Sequence, residues 1–324
     1  MSNFLIGLLG ALVATNQPAA VSNLVTQTTG LAISIPDPND PVEKEFHKMT
    51  ADDDAAQEEV DKWIGENHAF AQKGGGVPPD VLNTRIRARF EPVKKAYLDF
   101  LQRHPNHVGA HLAYGSFLND TGNEEDALTE FEKARELDPK NPTPWNQLAN
   151  HYAHEGPLKK AFEYYEKAIE LAPAEPVYYQ NLADIVYLYR KDAREIYKID
   201  EQQVFDKSLA LYGQAMKLAP DDFDLAQDVA QTYYGIRPLR LEAALNAWTN
   251  ALRIADTGVR KQGVYIHLAR LKLSVERFDE ARQHLNMVTD HFYDDLKSRV
   301  LRNLIDQEAK ARATNTPPGK VEAK

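Results

Sequence analysis

The chain has 324 residues, 43% of them hydrophobic, with 38 basic side chains, 48 acidic ones and no cysteine. The missing cysteine removes disulfides, thiol catalysis and thiolate metal sites, and the length suits either two domains or one continuous repeat stack. The net charge of −10 is concentrated: residues 1–80 hold four Lys, no Arg and 12 acidic residues, which leaves the remainder nearly neutral and without the Lys/Arg stripe that nucleic-acid binding requires.

The first 36 residues carry no charged side chain, and Phe4 to Ala14 runs FLIGLLGALVA. Eleven apolar residues suit a signal-peptide core and fall short of the ~20 that a spanning helix needs. No Lys or Arg precedes the run, and the cleavage points after Ala14 or Ser22 are mediocre. The competing reading is an apolar helix that packs on the chain or on a second subunit. Export or envelope attachment is favoured over a cytoplasmic location, with membrane attachment or oligomerisation through this segment as its consequence.

Residues 37–80 form an acidic helical segment followed by a Gly/Pro linker. Thr50 and Asp53 have the spacing of a capping box with Asp in place of Glu, which predicts a helix from there to about Phe70. Asp52, Asp53 and Asp54 point in different directions on such a helix and lack calcium-loop spacing, so they are not taken as a metal site. Lys73 to Asp80, KGGGVPPD, is expected to be a flexible joint. Residues 81–107 resume helical spacing through Ile86, Phe90, Val93, Tyr97 and Leu101, with a kink or restart expected at Pro92. This segment would cap the N-terminal end as a partial repeat.

Residues 108–295 repeat every 34 residues. Ala127 and Ala161, Ala134 and Ala168, Pro139 and Pro173, and Gly122 and Gly156 are each 34 apart. The units are 108–141, 142–175, 176–222, 223–261 and 262–295, the third with an insertion at 190–203. A fixed period of this length means stacked helix–turn–helix units, none able to bury its apolar face alone. Ala at two positions permits close helix approach, and Phe131, Tyr165, Tyr212 and Trp248 fill the space beside it. Gly122 and Gly156 supply the positive φ of a tight turn. The insertion RKDAREIYKIDEQQ holds the densest basic spot, with Arg190, Lys191, Arg194 and Lys198. It is expected to be a solvated loop, with contact to an acidic partner or to the chain's own residues 37–66 as the second reading. Asp200 and Gln203 predict a capping box for the helix that follows. Residues 296–313 have the amphipathic pattern of a capping helix, and 314–324 have the composition of a disordered tail.

Trp145, Leu148, Ala149, Tyr152, Gly156, Ala161, Tyr165, Ala168 and Pro173 together resemble the tetratricopeptide repeat, of bacterial type. The resemblance covers roughly residues 90–295. It implies an all-α, right-handed superhelical solenoid that closes with a C-terminal capping helix and binds an extended peptide in a concave groove lined by the first helix of each unit. Carried onto this chain, the groove positions include Asn146, Asn150, Gln180, Asp184, Tyr187, Gln227, Gln231, Tyr234 and Arg270. Amides donate and accept at once, which suits the backbone of an extended partner whatever its side chains. The Lys/Arg set with which chaperone-docking members hold an acidic C-terminal tail is replaced here by residues such as Leu112, Asn146, Val177 and Asp224, which argues against such a tail.

Phosphate loops, nucleophile elbows and paired-carboxylate motifs are absent from the sequence. His107 with His111, and His151 with His154, have helical spacing but lack the Glu of a zinc helix. No cofactor and no metal is expected. The expected function is that of a non-enzymatic scaffold or adaptor that binds a protein or peptide. The alternative is a structural subunit of a larger assembly that docks through its apolar N-terminal arm.

Overall fold

Asp40 opens the first helix of the computed structural model, which describes residues 39–72 and 74–315. Its carboxylate accepts the Val42 amide at 2.8 Å, and Pro41 sits at the first turn, where its missing N–H is harmless. Helix α1 therefore spans Pro41–Ala71 and begins well before the point that Thr50 suggests. Inside it, the Thr50 hydroxyl donates to the His47 carbonyl at 3.1 Å. Asp53 turns inward, 6% exposed, and accepts the Tyr97 hydroxyl at 2.7 Å and the Gln57 amide at 3.0 Å. The pattern that imitates a capping box is thus a long-range hydrogen bond to the next helix.

Helix α2 spans Pro79–Arg103 and passes through Pro92 without ending. It runs antiparallel to α1, as the pairs Arg103–Glu45, Tyr97–Asp53 and Arg89–Glu59 show. The connection between them is tied down by one side chain: Asn67 donates to the Val77 carbonyl at 3.3 Å and accepts the Val77 amide at 2.6 Å. Helices α3 (Val108–Asp120) and α4 (Glu124–Leu137) follow, turning at Gly122 with φ +78°. Tyr97 stacks on Tyr114 at 5.3 Å, and Phe90 meets Phe117 edge-on at 5.6 Å. The chain divides into two compact units, with the boundary between Pro144 and Trp145, inside helix α5 (Pro142–Glu155).

The second unit continues with α6 (Leu158–Leu171), α7 (Pro176–Leu188), α8 (Arg190–Tyr197), α9 (Glu201–Leu218), α10 (Phe223–Thr232), α11 (Leu241–Ile254), α12 (Gly258–Leu273), α13 (Phe278–Asn286) and α14 (Asp294–Asn315). The repeated alanines lie at the helix contacts: Ala161, Ala168, Ala215, Ala244, Ala251 and Ala281 are all fully buried. Gly156 turns between α5 and α6 with φ +75°. The capping box of Asp200 and Gln203 starts α9, with both of its bonds at 2.9 Å. All regular structure among the described residues is helical, so the protein is all-α and built of successive helix–turn–helix units, as the 34-residue period predicts.

The insertion is not a solvated loop. Its first part forms α8, with Ala193 fully buried. Tyr197 packs edge-on against Phe162 at 5.6 Å and donates to Glu166 at 2.8 Å, while the Lys207 ammonium lies 3.9 Å over its ring. Ala193 and Tyr197 are one turn apart, which gives the short helix a face to bury. The final helix extends over residues assigned from the sequence to a disordered tail. The apolar run Phe4–Ala14, with its export and packing readings, and residues 316–324 lie outside the described residues. No described helix is long and apolar enough to cross a membrane.

Tyr197→Ala tests whether α8 belongs to the fold. It is expected to destabilise the protein by about 1–3 kcal/mol, since the ring is half-buried against Phe162 and loses packing on truncation, measured by urea unfolding. A side chain in a solvated loop would change stability by less than ~0.5 kcal/mol.

Candidate functional site

All nine sequence-predicted site residues fall in the second unit, on α5, α7, α10, α12 and the 3₁₀ turn Tyr233–Gly235. Most of them are not free. Asn146 is 8% exposed and accepts a 2.9 Å bond from the Asn181 amide of the next unit. Gln180 donates at 2.9 Å to Asp228, again in the next unit. These two bonds are the same rung. Each joins the fifth residue of one repeat to the sixth of its successor, 35 residues on in the first case and 48 in the second, where the insertion intervenes.

A second set of bonds runs within the second and third repeats. The aromatic of the second helix reaches through the alanine contact to the ninth residue of the first helix. Tyr165 donates to Asn150 at 2.5 Å, and Asn150 in turn donates to Gln147 at 3.0 Å. Tyr212 donates to Asp184. Burial raises the Asp184 carboxyl to about 6, opposed by the Tyr212 bond and helped by the charge of Asp228. Burial also raises Asp228, opposed by its bond from Gln180.

The fourth repeat breaks both patterns. Trp248 replaces the tyrosine, is fully buried, and its indole N–H makes no hydrogen bond of ordinary geometry. Gln231, at the ninth position, is exposed and Gln227, at the fifth, is half-buried. His267, the sixth residue of the last repeat, is already engaged. Its ring stacks on Trp248 at 4.0 Å, and Tyr234 contacts its Nδ1 at 3.1 Å. Burial lowers His267 to about 4, so the ring is neutral near pH 7 and its Nδ1 can accept the Tyr234 proton. Burial raises the Tyr234 hydroxyl to about 12.

The other positions are defined by contacts. Tyr187 lies under the Arg190 guanidinium at 5.1 Å and 6.2 Å from the Phe205 ring. Its hydroxyl occupies the space of a Cβ on Gly235, 1.8 Å from the ideal position, so that glycine is what lets the ring lie there. Arg270 lies 5.2 Å over the Tyr234 ring. It opens onto a cavity of about 420 Å³ with Leu273, Ser274, Leu296 and Arg299. The face therefore turns from acidic at Asp184 and Asp228 to basic at Arg270 and Arg299. Sequence reasoning missed Tyr165, Tyr212 and His267 as parts of this face, because they belong to second helices or to positions assigned to packing. No group of three or more His, Asp or Glu residues among the described residues is arranged to hold a metal.

A raised carboxyl pKa in the fold means that the charged form is disfavoured there. Asp184 therefore costs stability as pH rises from about 4 to above about 6. Asp184→Asn keeps an acceptor for Tyr212 and removes that cost. Its stability relative to the unsubstituted protein is expected to improve between about pH 4 and about pH 7, measured by thermal unfolding; a difference independent of pH would contradict this.

Tetratricopeptide repeat family models match residues 108–151 and 142–175. The photosystem I assembly protein Ycf3 of Rippkaea orientalis (strain PCC 8801 / RF-1) is 33% identical over 78 residues, 24% of this chain and 45% of that protein. The protein of the same name from Cyanophora paradoxa is 30% identical over 128 residues, 38% of this chain and 73% of that protein. The chain thus spans under half of the first relative and nearly three quarters of the second. Among solved structures, PilF of Pseudomonas aeruginosa is 16% identical with a TM-score of 0.49, covering 76% of this chain and 98% of that one. With the repeat matches, the relatives and the helical fold together, the chain belongs to the tetratricopeptide repeat family of protein-interaction scaffolds.

Proposed function

We propose that this scaffold binds an extended segment of a protein partner along the first-helix face of residues 146–270, and that the fourth repeat is where the segment is held. The observation that carries this is the break in the ladder. Asn146, Asn150, Gln180 and Asp184 already have hydrogen-bond partners, whereas Gln227 and Gln231 have none among the described residues and keep both amide functions for a ligand backbone. Tyr187 and Tyr234 offer flat rings whose positions are fixed by their contacts, which adds contact area at low entropic cost. The gradient from Asp184 and Asp228 to Arg270 and Arg299 favours a segment with a cationic side chain over the middle of the face and an anionic group towards α14. An acidic chaperone tail does not suit such a face, and neither does nucleic acid. The chemistry is recognition alone, because no nucleophile, base and oxyanion-stabilising groups converge on the face.

The similar proteins named for photosystem I assembly support a role in bringing protein subunits together, without naming the subunits here. The second reading, a structural subunit docked through residues 1–36, draws its support from the uncharged apolar run alone.

A photo-crosslinking side chain placed at Gln227 or Gln231 in the native host should capture a discrete partner segment. The same group at Glu170, on the second helix of its unit, should not. With the captured segment as a synthetic peptide, Gln227→Ala and Gln231→Ala should each weaken binding by about three- to tenfold, the worth of one hydrogen bond. Equal capture from all three positions, or unchanged affinity, would overturn the reading.

A further inference from the structure

The outer end of the α1–α2 hairpin is built for a partner. Beyond Val60 on α1 and before Val93 on α2, none of the described residues is fully buried. Apolar side chains are nonetheless concentrated there: Phe70 is 66% exposed, Val81 51%, and Ile64 and Val77 45% each. The hairpin is not frayed at this end. Asn67 closes the connection with its two bonds to Val77, and the Arg85 guanidinium lies 3.6 Å over the Trp63 ring. A rigid, solvent-facing apolar surface of this kind on a short two-helix arm marks an interaction site.

Charge says what fits it. The outer part of α1 carries Asp61 and Glu66 against Lys62, with Glu58 and Glu59 just before it, and the facing part of α2 carries Arg85, Arg87 and Arg89 against Asp80 and Glu91. Among the described residues of this outer part, only Arg89 is closed as an ion pair with α1, to Glu59 at 2.7 Å. Arg87, Asp61 and Glu66 have no ionic partner among the described residues. One helix is acidic and the other basic, so the arm is complementary to itself. A two-fold axis places the acidic helix of one copy against the basic helix of another twice over, which is the requirement for an isologous interface.

We propose that two copies of this chain pair through these hairpin ends, α1 of each against α2 of the other, as an antiparallel four-helix contact. The outer portions are 11 residues on α1 and 14 on α2, or ~16 Å and ~21 Å. The face is therefore small, and the dimer is weak and concentration-dependent. The inference is independent of the groove reading, since it uses none of its residues.

Sedimentation velocity on the full chain over a range of concentrations tests it. The unsubstituted protein should pass from monomer to dimer, and Ile64→Glu with Phe70→Glu, both at exposed positions, should raise the dissociation constant at least about tenfold at unchanged helicity. Two charge variants test the register. One carries Arg85→Glu and Arg87→Glu, so both of its helices are acidic; the other carries Asp61→Lys and Glu66→Lys, so both are basic. Each alone should be monomeric, and an equimolar mixture should form a heterodimer. Hydrogen exchange at residues 61–91 should slow as concentration rises. A monomer at every concentration, a dimer indifferent to Ile64→Glu with Phe70→Glu, a mixture that fails to pair, or protection independent of concentration, as when the chain's own residues 1–36 cover the arm, would each overturn the proposal.

Discussion

The close approach of paired helices at alanine is the constraint from which the rest of each repeat follows. Ala161 with Ala168, and Ala244 with Ala251, leave no side-chain volume between helices. The large residue beside them then has to reach across the contact to the first helix. Where it is tyrosine, its hydroxyl emerges at the ninth residue of the repeat and fixes Asn150 or Asp184. Where it is Phe131, no hydroxyl is delivered, and the ring fills the space over Gly115, whose ideal Cβ would lie 2.6 Å from it. Where it is Trp248, the ring is longer, its N–H is left over, and the ninth residue, Gln231, stays free. One packing rule with three occupants thus determines which amides on the face are structural and which are available.

Polar groups on this face do two jobs that composition alone does not separate. A rung between the fifth and sixth residues of successive units ties first helices together by bonds of 2.9 Å, each worth about 1 kcal/mol net. Such bonds also fix the spacing of neighbouring repeats, so a ligand meets a pre-formed surface. The carboxylates of Asp184 and Asp228 add an electrostatic element, since burial makes both reluctant to ionise. A cationic group placed between them would relieve that cost, as an opposite charge favours the ionised form.

Much of this molecule was legible in the sequence, and the unread parts share a cause. The 34-residue period was readable because Ala, Gly and Pro positions are dictated by sterics that act locally, as Gly122 and Gly156 show with their positive φ. Asp200 with Gln203 was readable for the same reason. Asp53 was not, because its real partner, Tyr97, lies 44 residues away and Thr50, three residues earlier, imitated a local cap. The insertion looked like a loop because it is basic and interrupts the period, but Tyr197 finds Phe162 and Glu166 on a helix earlier in the chain. On the face itself, residue types were readable from the repeat frame, while their bonding was not. Asn150 and Gln180 look alike from sequence to Gln227 and Gln231, and differ only through partners 15 to 48 residues away.

The central claim is this division of the amides into bonded and free. It is most directly tested by side-chain amide hydrogen exchange in the unliganded protein, with Asn and Gln resonances assigned by NMR. Slow exchange at Asn150 and Gln180, with fast exchange at Gln227 and Gln231, is the predicted result. Uniformly fast exchange at all four would contradict it and leave the fourth repeat with no distinction from its neighbours.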